Sequence, residues 1–542
     1  MVAPGQSLVA AAPVSVPAAE TTRSRRWWAV HGSTIVAPAM AGVLAVITIL
    51  MRWRGSDLPA HFFRVGLVER DGLVGWNNYW FGGHHTLGYG VLFPVLGALV
   101  GIWTVAVASA ALSALLVDIL IRRATGSPCW WASLWFAVGT MTNVAIGRLP
   151  FALGLVVALG ALVAAQSRRL VLAAVLTVAT AAASPVVSVF LLLIFAAWAL
   201  TLEGRERRLF ATMSALAIAP VLIVSKLYPQ GGMFPFRWTA LLWTLAVCAV
   251  VFALVPARYR LVRLVAALYA LASIAAFLVP TPLGANITRL GMYAAAPVLL
   301  ALVPFTVVVA LAVFPPLIWW QWSPAFDAIL RARHDPSIEE AYYRPLLNFF
   351  ASVDAQNTRV EIVPTSRHWE TAFVATEVPI ARGWERQLDR RFHPFFYDGD
   401  LTDGELHHWL RESGVGYIAL ADTTIDDSGV EEATLIEANP PYLRQVWQNQ
   451  HWRVWRVIDS TGLIDGPAKL NEVGVDTVSL EVLAPGDVLV RVRSSAFWSS
   501  NPPVCIEPTD DGWIVLRDVR PGPLELKLDE TALVDADDPC QS

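Results

Sequence analysis

Asp57 stands in the segment GSDLPAH, just past the first long apolar run, in a loop from Arg52 to Pro94 that also carries His61, Arg64, Glu69, Arg70, Asp71, His84 and His85. A carboxylate so placed can take a proton from a hydroxyl group; it can equally cap a helix or pair with Arg52 or Arg54. Arg148, in NVAIGRLPFALG, and Arg289, in GANITRLGMY, are isolated cations between apolar runs. A guanidinium offers a phosphate a planar pair of donors, and the plain alternative is an arginine that snorkels to water. Arg64, Trp80, His84 and His85 complete the set of candidate substrate contacts. His84 and His85 are adjacent, so their rings diverge, which argues against a shared metal, and no cysteines have CxxC spacing. Neither a metal nor a cofactor is expected. Glu69 and Asp71 read as solvated charges.

The elements that must position these groups are apolar helices. The chain has 542 residues, 55% hydrophobic and 15% charged, with a mean hydropathy of +0.51. Soluble proteins carry roughly 25% charged residues, so the composition predicts a polytopic α-helical membrane protein. A crossing takes about 20 residues. Suitable runs lie at Gly32 to Met51, within Gly90 to Val117, and at Pro128 to Gly147, Leu149 to Ser167, Leu209 to Ser225, Trp238 to Ala257 and Leu264 to Pro280. Leu170 to Leu202 is long enough for two helices meeting at Ser184 and Pro185.

Arginine placement orients the runs, because cytoplasmic loops hold the basic excess. Arg23, Arg25 and Arg26 place the N-terminus inside; Arg122 and Arg123, Arg168 and Arg169, Arg205 to Arg208, and Arg258 to Arg263 then all fall on inner loops. The loop from Arg52 falls outside. The last apolar run, Leu290 to Phe326, has 37 residues without a charge. As one helix it would be about 55 Å long, and Pro304, Pro315 and Pro316 interrupt it, so two crossings are expected and about eleven in all. The expected division is a disordered cytoplasmic tail over 1–30, the transmembrane domain over 31–322, a soluble α/β domain over 323–465 and a small all-β module over 466–542. Cys505 and Cys540 of that module form a disulfide if they face an oxidising compartment and lie close enough.

No Walker A loop, GxSxG elbow or HExxH motif occurs. Four segments carry a resemblance: GSDLPAHFFR at 55–64, GWNNYWFGGHHTLGYG at 75–90, GRLPFALG at 147–154, and GWERQLDRRFHPFFYDG with HHWLRESGVGYIAL in the soluble part. Through them the chain resembles the GT-C glycosyltransferases. More narrowly, it is similar to bacterial membrane proteins of the YfhO type and to those with a pyruvoyl-tetrahydropterin-synthase-related domain. The resemblance implies a GT-C-like fold, an inverting transfer from a polyprenyl-phosphate sugar donor to a glycan or glycolipid acceptor, Asp57 as base, and Arg148 and Arg289 as phosphate ligands. It also implies a bacterial plasma membrane setting, with the C-terminal domain extracytoplasmic. Leu58 follows Asp57 where some members carry a second acid, which sets this chain apart from metal-dependent ones. Membrane lipid is an expected partner and nucleic acid is not. Two other readings use the same residues: a lipid or glycolipid transporter or flippase, whose cations recognise a head group without bond making, and a noncatalytic envelope-assembly scaffold.

Overall fold

The computed structural model describes residues 18–228, 231–333, 335–353, 355, 358–529 and 540. The chain opens with α1 (Ala18–Leu50) and continues, in the loop, with α2 (Leu58–Asp71), the two-residue strands β1 (Trp76–Asn77) and β2 (His84–His85), and α3 (Leu92–Val100). A bundle of α4 (Ile102–Thr125), α5 (Trp130–Ile146), α6 (Leu149–Gln166), α7 (Leu170–Ala183), α8 (Pro185–Leu200), α9 (Gly204–Leu227), α10 (Trp238–Leu254), α11 (Arg260–Leu278), α12 (Arg289–Leu302) and α13 (Val307–Ala332) follows. Seven of the helical segments are long and apolar enough to cross a membrane, and α7, α8 and α10 are shorter apolar helices.

Local chemistry sets the breaks. Pro185 occupies the first turn of α8, where its missing N–H is not needed. The run from Leu290 divides at 303–306, where Val303 is extended and the Thr306 hydroxyl accepts from the Val309 N–H to start α13. Three boundaries differ from expectation. Residues 18–30, assigned to a disordered tail, continue α1: an Ala-, Glu- and Arg-containing stretch next to an apolar helix extends it at little cost once the nucleus exists. Residues 1–17 of that tail lie outside the described residues. The second apolar run divides at Gly101 (φ +88°) into α3 and α4, and α4 runs on past Val117 through Asp118 and Arg122. The last helix passes the expected boundary at 322, through Pro324, to Ala332.

Asp118 can sit inside α4 because its carboxylate is fully engaged. It accepts from the Thr34 hydroxyl at 2.8 Å and the Ser133 hydroxyl at 2.7 Å and pairs with Arg122 at 2.9 Å, which ties α1, α4 and α5 together.

The soluble α/β part contains α14 (Glu340–Ser352), β3 (Arg359–Ile362), α15 (Glu370–Phe373), α16 (Arg386–Phe392), α17 (Asp403–Glu412), β4 (Val415–Ala421), α18 (Val430–Glu437), β5 (Leu443–Gln448) and β6 (Trp452–Val457). Its sheet has the order β3-β4-β6-β5, with only the β3–β4 pair parallel. Eight further strands between Ile464 and Leu528 make two antiparallel four-stranded sheets. Cys505 and Cys540 are disulfide-bonded, with Cα atoms 4.6 Å apart.

The loop from Arg52 to Pro94 is packed between the bundle and this soluble part. Leu58, Phe63, Trp80 and Phe81 share one core with Tyr343, Leu346, Phe350, Val360, Trp369 and Ile380, and Trp76 lies in the core of the β module. Ile380 donates its N–H to the Tyr79 carbonyl at 2.9 Å, Asn78 to Val475 at 2.8 Å, and Arg493 to Gly82 at 2.8 Å. Buried aromatics contribute roughly 1.5–3 kcal/mol each, so these contacts fix the soluble part on the same side of the bundle as the loop.

Candidate functional site

Two glycines bring Asp57 to Arg148. Gly147 ends α5 in the left-handed region (φ +93°), and a Cβ on it would stand 2.5 Å from the Leu58 nitrogen. Gly55 lies against the Ile146 carbonyl just as closely. With both Cβ atoms absent the two chain segments meet, and the Asp57 N–H donates to the Ile146 carbonyl at 3.2 Å. The side chains that follow then face each other: Asp57 Oδ2 lies 3.7 Å from Arg148 Nε. That is an ion pair without a hydrogen bond, because the buried Arg148 Nε has no hydrogen-bond partner.

Arg289, the first residue of α12, completes the group. It lies within electrostatic reach of Asp57, Arg148, Tyr89 and Tyr293, and its guanidinium stands 5.2 Å from the centre of the Phe151 ring. Tyr293 donates to Asn143 at 2.7 Å and shares a 2.5 Å hydrogen bond with Thr142, so its hydroxyl frames the site and is not free to react. Tyr89 lies within electrostatic reach of Asp57 and Arg289, and the Arg64 guanidinium stands 4.0 Å from its ring centre. Arg64 pairs with Glu385 of the soluble part at 2.5 Å, and the neighbouring Trp384 donates its indole N–H to the Ser56 carbonyl at 2.5 Å. Burial raises the Glu385 carboxyl above its usual range, although Arg64 opposes the shift. His61, one turn along α2 from Asp57, is held well below the usual imidazole range by burial and by Arg64 and Arg289, so its ring is neutral at pH 7.

The arginines Arg64, Arg148 and Arg289 thus outnumber the carboxylates Asp57 and Glu385 by one. Arg289 has no ion pair among the described residues.

The remaining candidates lie elsewhere. Trp80 has no exposed surface; its indole N–H donates to the Thr371 carbonyl at 3.1 Å and its ring stacks on Phe63 at 4.2 Å. His84 stacks on Trp80, and burial, with Arg64 nearby, pushes it down to about 3. His85 packs among Trp76, Tyr228 and Phe497. These three side chains hold the loop to its neighbours. Among the described residues no group of three or more His, Cys, Asp or Glu side chains can hold a metal ion. Tyr89, Trp384 and Glu385 lie in segments the sequence reading marked, GWNNYWFGGHHTLGYG and GWERQLDRRF, without being singled out there. Asn143 opens NVAIGRLPFALG and Tyr293 closes GANITRLGMY, yet neither stands out there, since one polar side chain on an apolar helix looks the same whether or not it lines a site.

No protein-family model matches this chain, and no curated protein matches it.

Proposed function

We propose that this chain is a cell-envelope glycosyltransferase of a bacterial plasma membrane, moving a sugar from a polyprenyl-phosphate donor to a glycan or glycolipid acceptor. It crosses the membrane about eleven times, with its N-terminus inside and its soluble part outside. The observation that carries this reading is the meeting of Asp57, Arg148 and Arg289 at the loop-facing ends of apolar helices, in a cluster with one positive charge to spare. Excess charge in a partly buried site calls for an anion, and a lipid-borne phosphate is an anion that reaches such a place from the bilayer.

In this mechanism the donor phosphate takes Arg148 and Arg289. Arg148 Nε, without a hydrogen-bond partner before substrate arrives, turns from Asp57 to a phosphate oxygen. Asp57, relieved of its cation, accepts the proton of an acceptor hydroxyl as that oxygen attacks the anomeric carbon. The bond from that carbon to the phosphate oxygen breaks on the opposite face, polyprenyl phosphate leaves with the electron pair, and the configuration inverts. The two guanidinia stabilise the charge that builds on the leaving phosphate.

The test is turnover by Asp57→Asn in membranes supplied with a panel of radiolabelled polyprenyl-phosphate hexoses and pentoses. A lost general base lowers transfer by about 100- to 10,000-fold with insertion and expression unchanged. Near-normal transfer by this variant would contradict the reading.

A further inference from the structure

His368 lies in the soluble part, beside the roof of the candidate site, and takes no part in the proposed transfer. It is buried, with 3% of its surface exposed. Its Nδ1 lies 3.4 Å from Glu370 Oε1 and its Nε2 lies 3.3 Å from Asp426 Oδ2. A neutral imidazole carries one N–H, so only the protonated ring can offer a donor to both carboxylates. The local charges agree. Asp426 also pairs with Arg386 at 2.9 Å, so Arg386, Glu370 and Asp426 leave one negative charge, which an imidazolium cancels. Burial acts to lower the pKa of the ring, but Asp426 and Glu370 outweigh it and hold that pKa above its ordinary value. The backbone is strained at the same residue: His368 has φ +59°, in the left-handed region. Strain of this kind persists where the surrounding structure holds it in place.

The ring then meets the site. It stacks face to face on Trp384, with centres 3.4 Å and planes 12° apart, and Trp384 donates its indole N–H to the Ser56 carbonyl at 2.5 Å. Ser56 directly precedes Asp57. A cation over an indole face is attracted to it in a way that a neutral ring is not.

We propose that His368, held as an imidazolium between Glu370 and Asp426, is a positioning residue that seats Trp384 on the Ser56 carbonyl and so sets Asp57 against Arg148. The site is tight when the ring is protonated and loose when it is not. This rests on the transfer reading only for the task of Asp57; the seating itself is independent of it. The charged groups around the ring are Glu370 from α15, Asp426 from the stretch before α18 and, beyond Asp426 and 4.9 Å from the centre of the Trp384 ring, Arg386 from α16. Burial works against ionised Asp426, but His368 and Arg386 hold its carboxyl below the usual range, so the ring is the group that changes charge near neutral pH. Because its folded pKa lies above the ordinary 6.5, the tight form is complete below 6.5 and is lost as pH rises through the folded value.

The experiment measures hydrogen–deuterium exchange of the peptide covering residues 53–58, in the full chain in bilayer nanodiscs, from about pH 5.5 to about pH 9 with the intrinsic exchange rate divided out. The Asp57 amide, which donates to the Ile146 carbonyl, is among those read. Wild type is expected to lose about tenfold in protection as pH rises, the scale of one charge-assisted hydrogen bond. His368→Gln is expected to show the low protection at every pH. His368→Arg supplies a planar cation that does not titrate in this range and is expected to keep the high protection throughout. Trp384→Phe leaves a ring to stack on but no N–H for Ser56, and is expected to stay low at every pH, so the proposal remains testable if the His368 variants do not fold. Protection independent of pH in wild type overturns it, as does the wild-type pH dependence in any of the three variants. No donor or acceptor enters the measurement, so failure of the transfer reading and failure of this role are separate results.

Discussion

At Asp57 two demands compete. In the proposed reaction a base at the rim of an apolar bundle must stay ionised and available, yet an unpaired carboxylate there is costly. The 3.7 Å contact with Arg148 answers both, being close enough to neutralise and too long to hydrogen-bond. This spacing depends on Gly147. Replacing it by Ala adds left-handed strain of about 1–2 kcal/mol and drives a Cβ to 2.5 Å from the Leu58 nitrogen. Gly126 has a similar conformation (φ +77°) with nothing within 4 Å of the missing Cβ, and so serves as the control. Thermal melts of the two variants are expected to show Gly126→Ala paying the strain alone and Gly147→Ala losing clearly more. Equal losses would mean that the close approach is not needed.

At the scale of elements, the helices were readable where hydropathy and proline agree. Ser184 with Pro185 marks the α7–α8 break, and Pro304 marks the α12–α13 break, because proline removes a donor and fixes φ, whereas Pro315 and Pro316, expected to interrupt the last run, lie inside α13. Helix ends were not readable where a charged residue is satisfied inside the bundle: Asp118 looks like a terminus in sequence and is a buried tie in the structure. Asp57, Arg148 and Arg289 stand out in sequence because each is a lone ion among apolar residues. The Arg64–Glu385 contact does not, since its partners are 321 positions apart and only the folded chain brings them together. Nor does the role of Trp80, because an aromatic that fills a core and one that stacks on a sugar look alike in sequence. The Asp118 tie has its own consequence. Asp118→Ala removes the carboxylate that pairs with Arg122 and accepts from Thr34 and Ser133, and breaking a buried pair costs about 3–5 kcal/mol; Arg122 keeps a fifth of its side chain exposed and also donates to the Ser33 hydroxyl, which puts the loss at the low end. Denaturation of the purified variant is expected to show that loss, and an unchanged midpoint would mean that the tie carries no stability.

For the whole molecule, the shared core of the loop and the soluble part is the main constraint on topology. Since the two pack together, they occupy one side of any membrane, and under the proposed orientation, with the basic loops inside, that side is the outer one. Asp398 is exposed on the soluble part and Arg205 in the first turn of α9. A membrane-impermeant maleimide applied to intact cells is expected to label Asp398→Cys at once, and Arg205→Cys only after permeabilisation; the reverse pattern would invert the orientation. In the proposed reaction the donor arrives along the bilayer at a cluster roofed by Trp384 and Glu385. The central claim is that Asp57, Arg148 and Arg289 form one phosphate-sized site, and the most direct test is a cryo-electron-microscopy map of the full chain with polyprenyl phosphate added. The expected result is a phosphate within about 3 Å of both guanidinia, with Arg148 turned away from Asp57. A map with the lipid phosphate elsewhere, and the Arg148–Asp57 pair unchanged, would contradict the claim.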